Sequence, residues 1–216
     1  MIRHHLSDAL LTGYSAGTLP EAFNLIVATH VSLCDECRAR LGAEEAVGGA
    51  LLDAAPDAPL AADALTATLA RIADVRPEAR PRTRPAAPRP GRFPQPLRDY
   101  VGGDAEAVRW RRVGGGVRQA ILPTATGASA RLLYIPAGTA VPDHGHHGLE
   151  LTLVLQGAFS DATDRFGPGD VETADPTLQH TPVAEAGGPC ICLAVTDAPL
   201  RFNGLIPRLL QPFLKI

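Results

Sequence analysis

The chain has 216 residues, of which 45% are hydrophobic, and a formal net charge of −3, so it is long enough for one large domain or two small ones. It opens with no basic stretch followed by an apolar one, and no run approaches the ~20 apolar residues that span a bilayer. These features exclude a membrane-spanning protein and predict a soluble, cytoplasmic one with no membrane partner. Its four cysteines form two close pairs, which suits a reducing compartment better than a disulfide framework.

Residues 1–75 show a helical pattern. Ser7 is placed to cap a first helix that ends at Gly17. Thr18 and Glu21 have the spacing of a capping box that opens a second helix. The sequence therefore predicts a helical domain over this part of the chain.

Two further helices follow in the same domain. The third is predicted over residues 37–52, and a break at residues 57–59 separates it from a short fourth helix. In the fourth helix Leu65, Leu69 and Ile72 recur at i, i+4 and i+7 and form one apolar stripe. This stripe either packs on its own domain or binds a partner, and the pattern leaves both open.

A metal-ligand pattern, His30-x3-Cys34-x2-Cys37, lies between the second and third helices. On a helix, His30 and Cys34 lie one turn apart, and Cys37 follows one turn later. A tetrahedral zinc needs one more ligand, and His4 or His5 can supply it. A Cys-x2-Cys pair is also typical of redox dithiols, but that motif normally follows a β-strand, which is absent here. The pattern favours a structural zinc site.

The charge of the helical domain limits its partners. Residues 1–75 contain ten Asp and Glu against four Arg. An acidic domain is a poor match for DNA phosphates and a better one for a basic protein surface. The sequence thus predicts a protein partner and no direct contact with nucleic acid.

Residues 76–96 have the composition of a linker. They hold seven Pro and six Arg and few side chains that could form a core. Proline at this density favours an extended, semi-rigid spacer of ~3.1 Å per residue. The segment divides the chain into a helical domain before it and a second domain, residues 97–216, after it.

The second domain has a β-pattern. Short β-rich segments separated by Gly and Pro turns are typical of a sandwich or barrel. A final helix or tail is predicted over residues 207–214. The predicted strands cover residues 117–122, 130–135, 150–156 and 191–196.

A second metal-ligand cluster lies in this β domain. His144 and His146 share one face of a strand because side chains alternate with period two. Glu150 keeps the same parity, and His180 is the remaining histidine that could complete the site, while His147 is assigned to the outer face. Three imidazoles and a carboxylate suit zinc, iron, manganese or nickel, so the ligands alone do not select the metal.

The spacing of this cluster resembles the first motif of the cupins, which are jelly-roll β-barrels. The residues that match the motif are Gly138, His144, His146, Glu150 and Gly157. Pro168-x-Asp170, followed by His180, resembles a looser second motif.

The whole arrangement resembles the ChrR family of zinc-binding anti-sigma factors: Arg3-His4-His5 comes first, then the His-x3-Cys-x2-Cys motif, the Pro-rich linker and the cupin. The resemblance implies that the helical domain holds an extracytoplasmic-function sigma factor inactive. It implies also that the cupin domain is required for release in response to singlet oxygen or related oxidants. Carried over residue by residue, the zinc ligands are His5, His30, Cys34 and Cys37. The ligands of a second divalent metal, expected to be zinc, are His144, His146, Glu150 and His180. The choice of His5 over His4 rests on the resemblance.

Two questions stay open at this stage. The alternative function is a cupin metalloenzyme, a dioxygenase or isomerase with an accessory helical zinc domain, although acid or base groups besides the ligands are few: Tyr134, Asp161 and Asp164. Cys190 and Cys192 share one face of a predicted strand. They are either buried structural residues or oxidant-sensitive thiols.

Overall fold

The computed structural model describes residues 1–75 and 91–202. The predicted tail at residues 207–214 and most of the predicted linker lie outside the described residues. None of the described helices is long and apolar enough to cross a membrane. The helices are α1 (Asp8–Ser15), α2 (Glu21–Val31), α3 (Asp35–Asp53), α4 (Ala64–Asp74) and α5 (Gln95–Val101).

The β half confirms the predicted strands to within one residue and adds shorter ones between them. The strands are β1 (Arg111–Gly114), β2 (Val117–Leu122), β3 (Ser129–Ile135), β4 (His144–His146), β5 (Glu150–Gln156), β6 (Phe159–Ser160), β7 (Arg165–Phe166), β8 (Val171–Ala174), β9 (Gln179–His180), β10 (Val183–Ala184), β11 (Cys190–Thr196) and β12 (Leu200–Phe202).

The described strands form three antiparallel sheets. The largest has six strands in the order β1-β2-β3-β11-β5-β8, and the two smaller ones have the orders β10-β6-β7 and β12-β4-β9. Side chains of all three sheets line one cavity, so the small sheets face the large one as in a jelly-roll. The hydrogen-bonded ladders of the described strands do not close into a ring.

The six-stranded sheet is covered on both faces. All seven residues of β11 are buried. Leu193 and Val195 belong to a core that includes the N-terminal helices, whereas Cys192 and Ala194, of the opposite parity, line the cavity. A strand that is buried on both faces has a continuous apolar sequence. The sequence of β11, CICLAVT, fits this description.

The N-terminal helices and the outer face of the sheet share this core. Leu11 of α1 and Ile26 of α2 are fully buried in the same cluster as Leu132, Leu153 and Leu193 of the sheet. The predicted helical domain therefore packs directly on the β domain. It cannot change position without exposing the outer face of the sheet.

Two of the helix starts follow from local hydrogen bonds. The backbone N–H of Leu10 donates to Oγ of Ser7 at 3.4 Å, which confirms the predicted cap of α1. The third helix begins at Asp35 rather than at the predicted Cys37, because the Sγ atom of Cys34 occupies the cap position and accepts from the N–H of Cys37 at 3.4 Å.

The predicted capping box of α2 is wrong. Pro20 is the residue before the helix, and no side chain caps it. Glu21 instead accepts a hydrogen bond from the hydroxyl of Tyr100 at 2.7 Å and another from the N–H of Ala125 at 2.5 Å. These partners belong to the β half, so tertiary contacts outcompete the local cap.

The described part of the second half begins at residue 91, before the predicted start of the second domain at residue 97. Phe93 is buried in the shared core, and α5 begins at Gln95. The carboxylate of Asp104 accepts hydrogen bonds from the N–H groups of Arg92 at 2.8 Å and Phe93 at 3.0 Å. The last residues of the Pro-rich segment are thus anchored to the β domain.

We expect Leu25→Ala in α2 to destabilise both halves together. Leu25 is buried in the shared core, and leucine-to-alanine changes in cores cost about 2–5 kcal/mol. Trp110 is the single tryptophan and lies in the β half. Its fluorescence during denaturant unfolding should therefore show the loss of stability in that half. The exposed Leu52 is the matched control, and Leu52→Ala should leave the midpoint unchanged. A Trp110 transition unaffected by Leu25→Ala would contradict the shared core.

Candidate metal centres

The first cluster contains the four residues predicted from the sequence and the family resemblance. One donor atom from each of His5, His30, Cys34 and Cys37 lies within 4.8 Å of the others. Nε2 of His30 is 3.2 Å from Sγ of Cys37, and Nδ1 of His5 is 3.3 Å from Sγ of Cys34 and 3.6 Å from Sγ of Cys37. Zinc with bonds of about 2.0 Å to nitrogen and 2.3 Å to sulfur has N–S edges of about 3.5 Å. The donor set fits a tetrahedral zinc.

Local structure explains why these four donors meet. His30 lies in the last turn of α2, Cys34 caps α3, and Cys37 lies in the first turn of α3. A short turn between the helices therefore presents three donors on one side. His5 reaches them from the extended segment before α1.

Hydrogen bonds outside the cluster orient both imidazoles. Nδ1–H of His30 donates to the carbonyl oxygen of Gly169 at 3.0 Å, which leaves Nε2 free for a metal. Nε2 of His5 lies 3.3 Å from the carboxylate of Glu36, which leaves Nδ1 free. Burial lowers the pKa of His30 to about 4, so its ring is neutral at pH 7, as a metal ligand requires. Burial also raises the pKa of the Cys37 thiol, and a metal ion would offset that by stabilising the thiolate.

The two neighbouring histidines before α1, His4 and His5, make different contacts. Nε2 of His4 bonds to the carboxylate of Asp164 at 3.0 Å, away from the cysteines. The backbone N–H groups of Arg3 and His4 donate to Oδ1 of Asp170 at 2.6 and 3.0 Å. The N–H of Val171 returns a hydrogen bond to the His4 carbonyl at 3.2 Å. Main-chain bonds to the cupin half thus hold His5 in place.

The second cluster brings together three of its four predicted residues. Donor atoms of His144, His146 and His180 lie within 4.8 Å of one another and all three side chains are buried. The residues are held by pairing of β4 with β9, which places His144 opposite His180. Nε2 of His146 is 3.3 Å from Nε2 of His180. The Nδ1–H of His144 donates to the carbonyl of Pro142 at 2.8 Å, which directs its Nε2 toward the cluster.

Glu150 lies beside this cluster rather than within it. Its Oε2 atom is 3.8 Å from Nδ1 of His146, and its carboxylate accepts from the hydroxyl of Thr152 at 3.2 Å. Burial outweighs the attraction of Arg131 and raises the pKa of Glu150 to about 7. Three imidazoles fit a divalent metal with open positions, and Glu150 as a fourth ligand stays a prediction.

Two carboxylates hold His180: Asp161, which the sequence offered only as an acid or base of the alternative enzyme, and Glu172, which it did not single out. Nδ1 of His180 lies 2.7 Å from Oδ2 of Asp161 and 3.1 Å from Oε1 of Glu172. Burial opposes the charged form of His180, but these two acids outweigh it and raise its pKa to about 9. Asp161, Glu172 and His180 form a second possible ligand group on the other side of that ring. Glu172 is an acidic residue in a short apolar strand, β8, on the face that points into the cavity. This is the sequence signal that could have identified Glu172.

Cys190 and Cys192 are buried, with their Sγ atoms 3.4 Å apart. The hydrogen bond between the two thiols, together with burial, raises the pKa of Cys192 well above its ordinary value. A buried protonated thiol reacts slowly with oxidants. The pair therefore favours the structural interpretation over the sensor.

Comparison with known proteins places the chain in a family. Residues 99–198 match the family described as ChrR Cupin-like domain. The chain is 63% identical over 215 residues to the anti-sigma-E factor ChrR of Cereibacter sphaeroides, an alignment that covers 100% of this chain and 99% of the relative. The chain belongs to the ChrR family. The crystal structure of Rhodobacter sphaeroides SigE in complex with the anti-sigma ChrR contains a chain 60% identical to this one, with a TM-score of 0.80, covering 91% of this chain and 100% of that chain.

The alignments with ChrR proteins span the residues of both clusters. The matched residues 99–198 contain all three histidines of the second cluster. The full-length relative aligns also with the helices that hold the first cluster. The cupin assignment made from the spacing of His144, His146 and Glu150 is confirmed by the family match.

We expect Cys34→Ser to remove the metal from the first cluster and to lower stability severely. A structural zinc contributes about 10 kcal/mol, which is comparable to the whole free energy of unfolding of a domain, about 5–15 kcal/mol. Metal content and melting temperature measure the effect. Cys190→Ser, at another buried cysteine, is the control and should keep the metal of the first cluster. A Cys34→Ser protein with unchanged metal content and melting temperature would disprove the zinc site.

Proposed function

We propose that this chain is an anti-sigma factor. Residues 1–75 bind an extracytoplasmic-function sigma factor and hold it inactive, and the cupin domain releases it in response to singlet oxygen or related oxidants. The observation that carries the proposal is the 63% identity over the whole chain to a protein named an anti-sigma-E factor. The complex of a 60% identical chain with SigE supports the same class of partner.

The exposed apolar surface of α3 and α4 is the best candidate for the sigma-binding surface. Among the described residues, eight of the twelve exposed large apolar side chains lie between residues 47 and 75. No residue of α4 is buried, so its predicted apolar stripe is not used by its own domain. Contiguous exposed apolar surface marks a site of protein contact. The eight residues are Val47, Leu51, Leu52, Leu60, Leu65, Leu69, Ile72 and Val75.

Charge supports the same partner. Residues 1–75 carry ten Asp and Glu against four Arg. A sigma factor needs basic surfaces to engage promoter DNA, and an acidic helical domain can cover them. Inhibition is then occlusion reinforced by charge, with no direct contact between this chain and nucleic acid. Its place of action is the cytoplasm, where transcription occurs.

Zinc is the metal proposed for the first cluster. Two thiolates and two imidazoles with N–S distances of 3.2 to 3.6 Å are a ligand set typical of structural zinc sites. Bound zinc supplies folding free energy and no reaction chemistry there. His30 and Cys34 link the end of α2 to the start of α3, so the metal fixes the angle at which α3 leaves the core. A second divalent metal, also zinc, is proposed for the three histidines of the cupin.

A direct route between the two metal sites supports oxidant sensing by the cupin. The segment of residues 167–172 contacts both. Its Gly169 carbonyl holds His30, its Asp170 carboxylate holds the residues before His5, and its Glu172 side chain lies 3.1 Å from His180. A change at His180 can therefore shift the supports of the first cluster without acting through the Pro-rich linker.

The relation to a named anti-sigma factor favours regulation over the alternative of a cupin dioxygenase or isomerase. Asp161, one of the few candidate acid or base groups, is committed to His180. Asp164 is committed to His4. These acids support metal ligands and the domain contact rather than a substrate.

The double substitution of Leu65 and Leu69 by serine should weaken sigma inhibition about tenfold or more. Each buried leucine contributes about 1.5–3 kcal/mol to a contact, and 1.4 kcal/mol is a factor of ten. Inhibition of transcription by purified polymerase and its sigma factor measures the effect. Ala67→Ser, on the opposite side of α4, is the control and should leave inhibition unchanged. Equal inhibition by all three proteins would place the sigma-binding surface elsewhere.

Asp170→Asn should uncouple the cupin from the helical domain. The amide keeps the shape of the carboxylate but weakens its bonds to the N–H groups of Arg3 and His4. We expect a chain that still binds zinc and sigma but responds less to oxidant. A sigma-dependent reporter in cells exposed to light and a photosensitiser measures the response. Asp164→Asn, which weakens the exposed bonds of that carboxylate to His4 and to the N–H of Arg165, is the control. An undiminished response in Asp170→Asn would rule out this route.

A further inference from the structure

A cavity of about 360 Å³ lies between the six-stranded sheet and the two small sheets. This volume is at the lower end of the ~300–1,000 Å³ found for small-molecule pockets. A water molecule takes about 30 Å³ of liquid, so the cavity has room for a ligand of about a dozen non-hydrogen atoms. His144 and His180 of the second cluster line this cavity, but a metal ion held by them would fill only a small part of it, and sigma binding accounts for none of it.

One end of the cavity is polar because of the register of four strands. Arg131 of β3 lies opposite Ala194 of β11, which lies opposite Thr152 of β5, which in turn lies opposite Glu172 of β8. All four residues line the cavity. The row therefore has a cationic side chain at one end and the carboxylate beside His180 at the other. Three strand spacings, about 14 Å, separate their backbones.

The other end of the cavity is apolar. Leu133 and Ile135 follow Arg131 on the same face of β3, since side chains on one face recur every second residue. Val117, Val141 and Phe159 complete this end. From Arg131 to Ile135 the strand extends about 13 Å. Along this length the lining of the cavity changes once, from polar to apolar.

Arg131 is a buried group of this row whose hydrogen bonds are incomplete. Oε1 of Glu172 also lacks a hydrogen-bond partner among the described residues, but it lies 3.1 Å from Nδ1 of His180 and so has a cationic neighbour. Arg131 as a whole is only 6% exposed to solvent. Nη2 donates to Oγ of Ser129 at 3.1 Å, but Nη1 has no hydrogen-bond partner among the described residues. Glu150 attracts the guanidinium through space, while burial lowers its pKa. A buried charge left in this state is costly, and a guanidinium binds a carboxylate through two parallel N–H bonds.

We propose that the cavity binds a monocarboxylic acid with an apolar body, whose carboxylate lies on Arg131 and whose body lies along Leu133 and Ile135. The acid satisfies the free Nη1 donor, and its body fills the apolar end. The dozen atoms and the 13 Å length agree with a medium-chain fatty acid. This inference does not depend on the proposed sigma binding, because the ligand contacts only cupin residues.

Calorimetric titration of sodium decanoate into the full chain, loaded with zinc, tests the proposal. We expect saturable binding of one decanoate per chain. Arg131→Met should weaken it about tenfold or more, since hydrogen bonds to charged groups are the strong ones. Arg118→Met is the matched control, because Arg118 lies on the neighbouring strand with its side chain over the Tyr134 ring, and it should bind decanoate as the parent does. Decanol, which lacks the charge, should bind weakly and equally to all three proteins.

Two further measurements separate a ligand-binding role of Arg131 from other roles. Without ligand, Arg131→Met should melt no lower than the parent, because it removes an incompletely paired buried charge; a clearly lower melting temperature would make Arg131 structural and overturn the proposal. A crystal structure with decanoate should show its carboxylate on the guanidinium. A carboxylate on the three histidines, no saturable binding, or equal affinity in Arg131→Met would also overturn it.

Discussion

Burial of the outer face of the six-stranded sheet is the constraint on which the rest of the structure depends. Leu132, Leu153 and Leu193 point away from the cavity and would meet water if α2 did not cover them. At about 25 cal/mol per Å² of apolar surface, exposing such a face is unfavourable. The helices are therefore fixed on the cupin, and both metal clusters acquire a defined relative position.

Within that arrangement the turn before β8 connects the two clusters. Gly169 has a φ of 90°, a conformation that glycine adopts at little cost, and a Cβ there would lie 2.6 Å from the Ile2 side chain. This geometry lets the carbonyl of Gly169 reach His30 while Asp170 holds the N-terminal segment. The two candidate metal clusters thus share one short stretch of main chain.

Sequence reasoning could predict whatever is encoded by local spacing. The helices, the longer strands, the ligand motif at His30 and the parity of His144 with His146 all follow from periodicities of 3.6, 4 or 2 residues. It could not predict that Glu21 leaves its helix cap for Tyr100, because that partner is 79 residues away. The contact of Asp161 with His180 and that of Asp170 with the N-terminal segment depend likewise on strand pairing and close packing, which no local pattern specifies.

The exposed helix α4 has a consequence for the lifetime of the chain in the cell. Its leucines are exposed and are not buried against the rest of the described chain. Helices with few buried contacts unfold locally with little cost in free energy. Proteases cleave segments that open locally. If sigma binds α4 as proposed, a molecule without its partner is expected to be degraded sooner than one whose α4 is covered. The abundance of the inhibitor would then follow that of its target, and free inhibitor would not accumulate.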